Sequence, residues 1–370
     1  APPPALARTI SRPATPRASH RQMSTPFRIA IVGAASIRGK QLNEALSEST
    51  FVASEFLLMD DQEALGQLET VGDEITFIQP ITADSFERVD FTFFAGGPEL
   101  TRRHWQAAHR AGSSIVDLSG GLEGEPGVLV CAPWLQEAMG EAAVAIAPSL
   151  HTPAVVSAHP AALVLALLLE RLQHLGAIRS VSATVLEPAS EYGKAALDEL
   201  HQQTVALLSF QSIPTQVYDV QVAFNTVGVF GEGAKISLAD SEARIRRHYA
   251  LLSGGRLPQL SLQLIHVPAF HGHTFSIAVE YERPVTLEQI EATVSGAHME
   301  LILSDVDAPG NLNSIGDQDV SVRARFDEEG VSQSRRLWFW ASADNLELSV
   351  MNAVECAQEL RKLRPQGKVQ

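Results

Sequence analysis

Two histidines, His271 and His273, flank a glycine in the run Val267-Pro268-Ala269-Phe270-His271-Gly272-His273. An imidazole titrates near neutral pH and can relay a proton in a reaction, although two histidines beside a glycine serve structure just as readily. Cys131 and Cys356 are the chain's cysteines. A thiolate attacks and leaves well, but free cysteines are mostly small buried hydrophobes, and these two form neither a disulfide framework nor a zinc spacing. No metal site is expected. Ser149 and His151 stand close together between Pro148 and Pro153 and could act as nucleophile and base, but no third partner follows from the sequence. The most specific feature is Phe27-Arg28-Ile29-Ala30-Ile31-Val32-Gly33-Ala34-Ala35-Ser36-Ile37-Arg38-Gly39. An apolar run ends at Gly33, and a helical pattern with Leu42 and Leu46 follows Gly39. A strand, a tight turn and a helix N-terminus present unpaired N–H groups and a positive dipole end to a pyrophosphate, which is how α/β folds hold a dinucleotide. Ser36 takes the place of the middle glycine and adds a side chain where backbone should approach the phosphates.

A scaffold for these residues is legible on both sides. Apolar runs at residues 55–59, 90–94 and 114–118 read as buried strands, and residues 100–111 read as a helix between them. Residues 144–147 extend the series. Alternating strands and helices with glycine turns predict a parallel, doubly wound sheet. After residue 153 the pattern changes: helices at 158–172 and 192–208, then alternating strands at 180–186, 216–224, 260–267, 274–281, 321–326 and 336–340. Half-exposed strands of this kind predict a mostly antiparallel sheet, closed by a last amphipathic helix at 345–363. The fold class is therefore α/β: a Rossmann-like dinucleotide-binding domain plus a second, α+β domain with a mostly antiparallel sheet.

At 370 residues the chain has room for two domains. A formal net charge of −15 argues against nucleic acid or an anionic membrane as partner. No apolar run reaches the ~20 residues that span a bilayer. Two cysteines suit a reducing cytoplasm. Residues 1–26 differ: basic, rich in Pro, Ser and Ala, and free of acidic residues. They read as a disordered extension, as sequence upstream of a start at Met23, or as an organellar transit peptide.

Four stretches in order resemble the aspartate-semialdehyde dehydrogenase family, including its Usg-type homologues. They are Ile31-Val32-Gly33-Ala34-Ala35, Phe94-Ala95-Gly96-Gly97, Ile115-Val116-Asp117-Leu118-Ser119 and the Val267–His273 run quoted above. The resemblance covers residues 27–363. It implies a dinucleotide-binding domain at 27–152 and 343–366, a dimerisation domain at 153–342, a homodimer, and a place in amino-acid biosynthesis. The family reaction passes through a cysteine thiolate and a thioester, with hydride transfer to NADP. Gly33, Ala35, Ser36, Ile37, Gly39, Asp60, Gly96, Gly97 and Ser119 fall on cofactor-binding positions.

The resemblance also implies losses. His273 falls on the catalytic histidine, but the nucleophile position before the long helix falls on Val155, or on His151 when counted from the preceding strand. The arginine that grips the substrate carboxylate becomes His266, which cannot fork onto a carboxylate. The glutamine that orients the intermediate becomes Glu187, an anion where an anionic substrate should lie. The phosphate-binding arginine becomes Glu123. Asp60-Asp61-Gln62 follows the second strand, where a carboxylate accepts from a free ribose 2′-OH and repels a 2′-phosphate, so NAD is favoured over NADP if binding survives. Together these imply a catalytically inactive binding or regulatory homodimer, open to a further protein partner. The alternative is a divergent NAD(P)-dependent semialdehyde dehydrogenase.

Overall fold

The computed structural model describes residues 27–49, 51, 53–61, 66–71, 74–140, 147–303 and 308–364. The leader at 1–26, Gln62 and residues 144–146 of the strand expected at 144–147 lie outside the described residues.

The first half builds a seven-stranded sheet with β1 (Phe27–Val32), β2 (Ala53–Asp60), β5 (Gln79–Pro80), β6 (Phe91–Phe94), β7 (Ser114–Asp117), β8 (Leu129–Cys131) and β9 (Val155–Ser157). A small hairpin, β3 (Leu68–Val71) with β4 (Glu74–Phe77), stands apart from it. The sheet order is β5-β2-β1-β6-β7-β9-β8 and every pair is parallel. From β1 the chain first moves to β2 on one side and then to β6 on the other, so the order reverses between β1 and β6. Ligands of open α/β sheets bind at such a reversal, outside the carboxyl ends of the strands. Helices α1 (Ile37–Glu48), α2 (Pro98–Arg110) and α3 (Pro133–Met139) connect these strands. Because β9 belongs to this sheet, the first domain's sheet runs past the boundary expected at residue 152.

The second half begins with α4 (Pro160–Gln173), which is buried on all sides because its sequence, from Pro160 through Leu169, offers no polar face. It backs a six-stranded sheet in the order β11-β10-β12-β15-β14-β13. The strands are β10 (Ile178–Glu187), β11 (Leu260–His266), β12 (His273–Thr286), β13 (Met299–Leu301), β14 (Val320–Phe326) and β15 (Gln333–Ala343). Helices α5 (Lys194–Leu208), α6 (Leu238–Ser253) and α7 (Leu287–Val294) complete this half. The sheet is mixed rather than mostly antiparallel: β10–β11 and β13–β14 are parallel pairs, while β10–β12, β12–β15 and β14–β15 are antiparallel. Side-chain alternation reports burial of one face and carries no strand direction.

The strand expected at 216–224 does not form. Its backbone donors are taken by side chains of α5 instead: Glu199 accepts from the N–H groups of Val217 and Tyr218, and Gln203 Oε1 from those of Val222 and Ala223. Two buried side chains thus stand in for a neighbouring strand. The last helix, α8 (Asn345–Leu363), starts two residues after β15 and returns to the first sheet, where Val350, Ala353, Val354 and Ala357 join its core.

Candidate active site and nucleotide cleft

Gly33 has φ of +85°, and a Cβ there would stand 2.2 Å from the Gly96 backbone nitrogen. The loops after β1 and β6 therefore touch through two glycines at the sheet's reversal. Ser36 caps α1: its Oγ accepts from Gly39 N–H at 2.9 Å and donates to Ala95 O at 2.8 Å. The serine hydroxyl is thus engaged within the loop, while the residue still lines the cleft. With Ser36 N–H on Gly33 O and Gly39 N–H on Ser36, the Ile37 and Arg38 N–H groups remain without intrahelical partners. Asp60 also faces inward. Its carboxylate accepts from Ala35 N–H at 2.8 Å and from Asp61 N–H at 2.9 Å, so it staples the loop, and Asp61 is the exposed carboxylate of the pair.

A cleft of about 300–1,000 Å³ is the size of an ordinary small-ligand site. The one here measures ≈ 590 Å³ and is lined by the loop (Gly33, Ala35, Ser36), by Asp60 and Asp61, by Gly96 and Gly97, and by Lys40, Arg103 and Lys194. The backbone N–H groups, the glycine contact and the carboxylate at the end of β2 fit the phosphate and ribose of a nucleotide. Ser119 does not line this cleft; its Oγ donates to Asp117 and Gly121 N–H donates to it, so it shapes its own loop.

Glu187, His266 and His273 are gathered by strand register. Glu187 ends β10 opposite His266, the last residue of the parallel β11, and His273 opens β12 on the other side of β10. All three are buried. Glu187 accepts from Tyr192 at 2.5 Å and Ser241 at 2.6 Å, while burial and nearby Glu191 push its carboxyl up to about 8. It is therefore a neutral acid at pH 7, not the anion expected from its type. His266 is enclosed by Tyr192, Tyr218 and Phe230, and burial lowers it to about 4. Burial likewise takes His273 down to about 3, which keeps it a neutral base. Neither ring nitrogen of His273 has a hydrogen-bond partner among the described residues, and the Glu187 backbone offsets the burial of His266 only in part.

Val155 is not beside His273. It lies in β9 between β7 and β8, buried in the core of the first sheet, because three residues of strand precede the turn into α4. The helix start near His273 holds His159 and Pro160. His159 Nδ1 accepts from Ala161 N–H as the N-cap, Pro160 occupies the first helical position, and the His159 and His273 ring centroids are 5.9 Å apart. His151 is exposed in a turn, and Ser149 Oγ meets Thr152 and the His151 N–H rather than a base. Cys131 and Cys356 are buried against each other's strand and helix; Cys356 Sγ donates to Cys131 O, and burial raises its thiol well above the usual value.

Two charged residues missed by the sequence complete the site. Arg38, in the first turn of α1, donates to Glu191 Oε1 at 2.6 Å and to Glu191 O at 3.1 Å. His159 Nε2 lies 3.4 Å from the same carboxylate oxygen, and Asn345 Nδ2 donates to the other at 3.2 Å. Burial would raise Glu191, but Arg38 and His159 hold it well below the ordinary carboxylate range. Glu123 is similarly neutralised: Arg244 and Arg247 bond it, and His248 Nε2 lies 2.9 Å away. The charge reversal expected at residue 123 is thus balanced from within. His248 Nδ1 accepts from His159 N–H, so the two carboxylate clusters meet at the start of α4. Among the described residues no group of three or more His, Cys, Asp or Glu could hold a metal ion, and no helix is long and apolar enough to cross a membrane.

An N-terminal dinucleotide cleft joined to a buried histidine site on a mixed sheet is the architecture of a semialdehyde dehydrogenase. The chain belongs to that family: residues 28–152 match the semialdehyde dehydrogenase NAD-binding domain and residues 169–348 its dimerisation domain. It is 29% identical over 346 residues to a USG-1 protein homolog of Azotobacter vinelandii, covering 92% of this chain and 99% of that one. It is 24% identical to the aspartate-semialdehyde dehydrogenase of Rickettsia bellii, again over 92% and 99%. The crystal structure of Vibrio cholerae aspartate semialdehyde dehydrogenase II complexed with ASA shares the fold, with a TM-score of 0.79 at 22% identity, covering 92% and 99%.

Proposed function

We propose that this member of the family has lost the phosphorylating oxidation of a semialdehyde and acts as a binding or regulatory homodimer. The observation that carries this reading is the helix start beside His273, where His159 and Pro160 stand and no thiol is within reach. Both cysteines of the chain are fully buried in the first domain's core, on β8 and α8. Loss of a covalent nucleophile removes many orders of magnitude of rate. The changed clamp supports the same reading: neutral His266, caged by aromatic rings, cannot grip a carboxylate as a guanidinium does.

The test is reduction of NAD and NADP by the full chain with aspartate semialdehyde and phosphate. No phosphate-dependent reduction above background is expected with either cofactor. Turnover abolished by thiol alkylation would overturn the reading. The same protein carries an apolar recess of ≈ 470 Å³ that includes Phe270, Leu312, Ile315 and Trp340, all within the span that matches the dimerisation domain. A second copy of the chain is the occupant proposed for it. Leu312→Asp is expected to convert dimer to monomer in sedimentation, and an unchanged dimer would discard that face.

A further inference from the structure

The nucleotide cleft and the buried histidine site are separated by one ion pair. Arg38 leaves the first turn of α1, directly after Ile37, and crosses to Glu191 in the second half of the chain. Glu191 is fixed from three sides, by Arg38, His159 and Asn345. Its side chain is only 5% exposed, and that of Arg38 18%. None of His159, Glu187, His266 and His273 lines the ≈ 590 Å³ cleft. For hydride transfer the second nucleoside of a dinucleotide must lie between the phosphate loop and His273. Here Arg38 reaches from the first turn of α1 to Glu191, and Glu191 in turn contacts His159 and acts on His273, so the pair stands between the loop and the histidines.

We propose that the cleft takes a nucleoside diphosphate by its phosphates and single ribose, and that the Arg38–Glu191 pair bars the second nucleoside of a dinucleotide. This rests on the reading that hydride chemistry has been lost and says what the retained cleft still binds. A ring entering between them must separate two largely desolvated charges and take from Glu191 its cationic partner, leaving it only His159 and Asn345. The outer cleft asks for no such displacement. It is lined by the loop residues Gly33, Ala35 and Ser36 at the start of α1, by Lys40, Arg103 and Lys194, and by Asp61 at the end expected to meet the ribose. Lys40 is paired with Glu69 and Lys194 with Asp198, and Asp60, Asp61 and Glu99 also line the cleft, so recognition depends on backbone N–H groups more than on net charge. A dinucleotide binds this cleft by one half, with its nicotinamide in solvent.

Calorimetry of the full chain with ADP, ADP-ribose, NAD and nicotinamide mononucleotide tests this, together with saturation-transfer NMR of bound NAD. The first three ligands are expected to bind within about threefold of one another, a difference of under about 1 kcal/mol. Nicotinamide mononucleotide should give no saturable heat, and saturation should reach the adenine protons of NAD and not those of nicotinamide. In the double variant Arg38→Met/Glu191→Gln, which removes both charges together, NAD should gain about tenfold over ADP-ribose. ADP binding to that variant reports whether it is folded, and the ligand series on the unaltered chain decides the matter if it is not. NAD binding more than about tenfold tighter than ADP-ribose in the unaltered chain would overturn the proposal, as would saturated nicotinamide protons or no ADP binding at all. Nicotinamide contact without turnover refutes this inference alone; NAD reduction refutes it together with the loss of catalysis.

Discussion

The Tyr192 hydroxyl donates to Glu187 Oε2 at 2.5 Å, inside a site where that carboxyl is neutral at pH 7. Burial first, and then the charge of Glu191, raise Glu187 to about 8 from the ordinary 4.5. In the unfolded chain it ionises near its ordinary value. Between pH 4.5 and 8 the folded state therefore holds one proton more, and this group's contribution falls as pH rises through that window. The slope is about 1.4 kcal/mol per pH unit for one proton. Glu187→Gln keeps an acceptor for Tyr192 and a donor for Ser241 without the titration. Urea unfolding from pH 6.5 to 8 should show stability changing by about 1.5–2 kcal/mol more unfavourably in the parent than in the variant, the buried histidines contributing equally to both. Equal slopes would mean that Glu187 is ionised in the fold.

Histidines govern the acid side with the opposite sign. Burial depresses His248 and His266 to about 4 and His273 to about 3, so the unfolded chain binds protons below pH 6.5 that the folded chain refuses. Their stability is present above 6.5 and is lost as pH falls towards 4; over part of that range Glu187 offsets one of the three protons. His266 lends itself to a direct test, because its ring nitrogens make no hydrogen bond of good geometry and its neighbours are the rings of Tyr218 at 5.0 Å and Phe230 at 5.3 Å. Replacing a buried, unsatisfied polar group by an apolar one of similar shape removes its desolvation cost. His266→Phe is expected to stabilise the protein by about 1–2 kcal/mol at pH 7, and by more at pH 5. A loss of stability at both pH values would show that the imidazole is satisfied.

Much of this was legible in the sequence wherever a local pattern carries the information. The Gly33 turn, the apolar strands of the first sheet and the 3.6-residue period of α8 each specify their own element. Strand direction in the second sheet was not legible, since β10 and β11 pair in parallel through a crossover that includes α6. The false strand at 216–224 alternates correctly, but Glu199 and Gln203 intercept its backbone. At the site, His273, Glu187 and His266 could be placed by their order along the chain. Val155 could not, because the number of residues between the last strand and α4 fixes which side chain reaches the helix start. Arg38 and Glu191 are 153 residues apart, and nothing local to either announces the other.

Asn345 shows how tightly the two halves are joined. As the first residue of α8, fully buried, it accepts from Ser190 Oγ at 3.1 Å and Gly272 N–H at 3.0 Å and donates to Glu191 at 3.2 Å. Removing the amide leaves a backbone N–H, a hydroxyl and part of a carboxylate without partners. At about 1–3 kcal/mol for each unsatisfied group, Asn345→Ala is expected to cost about 3–5 kcal/mol in equilibrium unfolding. Asn345→Asp, which keeps the acceptor and adds a second carboxylate beside Glu191, should be at least as damaging. A variant Asn345→Ala within about 1 kcal/mol of the parent would mean that the network is not formed.

Gly33 separates backbone freedom from close approach. Gly33 and Gly112 have nearly the same φ, +85° and +84°, but a Cβ at Gly112 meets nothing within 4 Å, whereas one at Gly33 falls 2.2 Å from Gly96 N and 2.3 Å from Gly96 Cα. Gly112→Ala should cost only the left-handed backbone strain, about 1–2 kcal/mol. Gly33→Ala adds a collision with main chain that no rotamer relieves, so the β1–α1 and β6–α2 turns must move apart. Its cost is expected to exceed that of Gly112→Ala by at least about 2 kcal/mol, and ADP binding to the cleft should be lost while Gly112→Ala retains it. Equal thermal shifts for the two variants would show that the glycine contact is not what holds the phosphate loop in place.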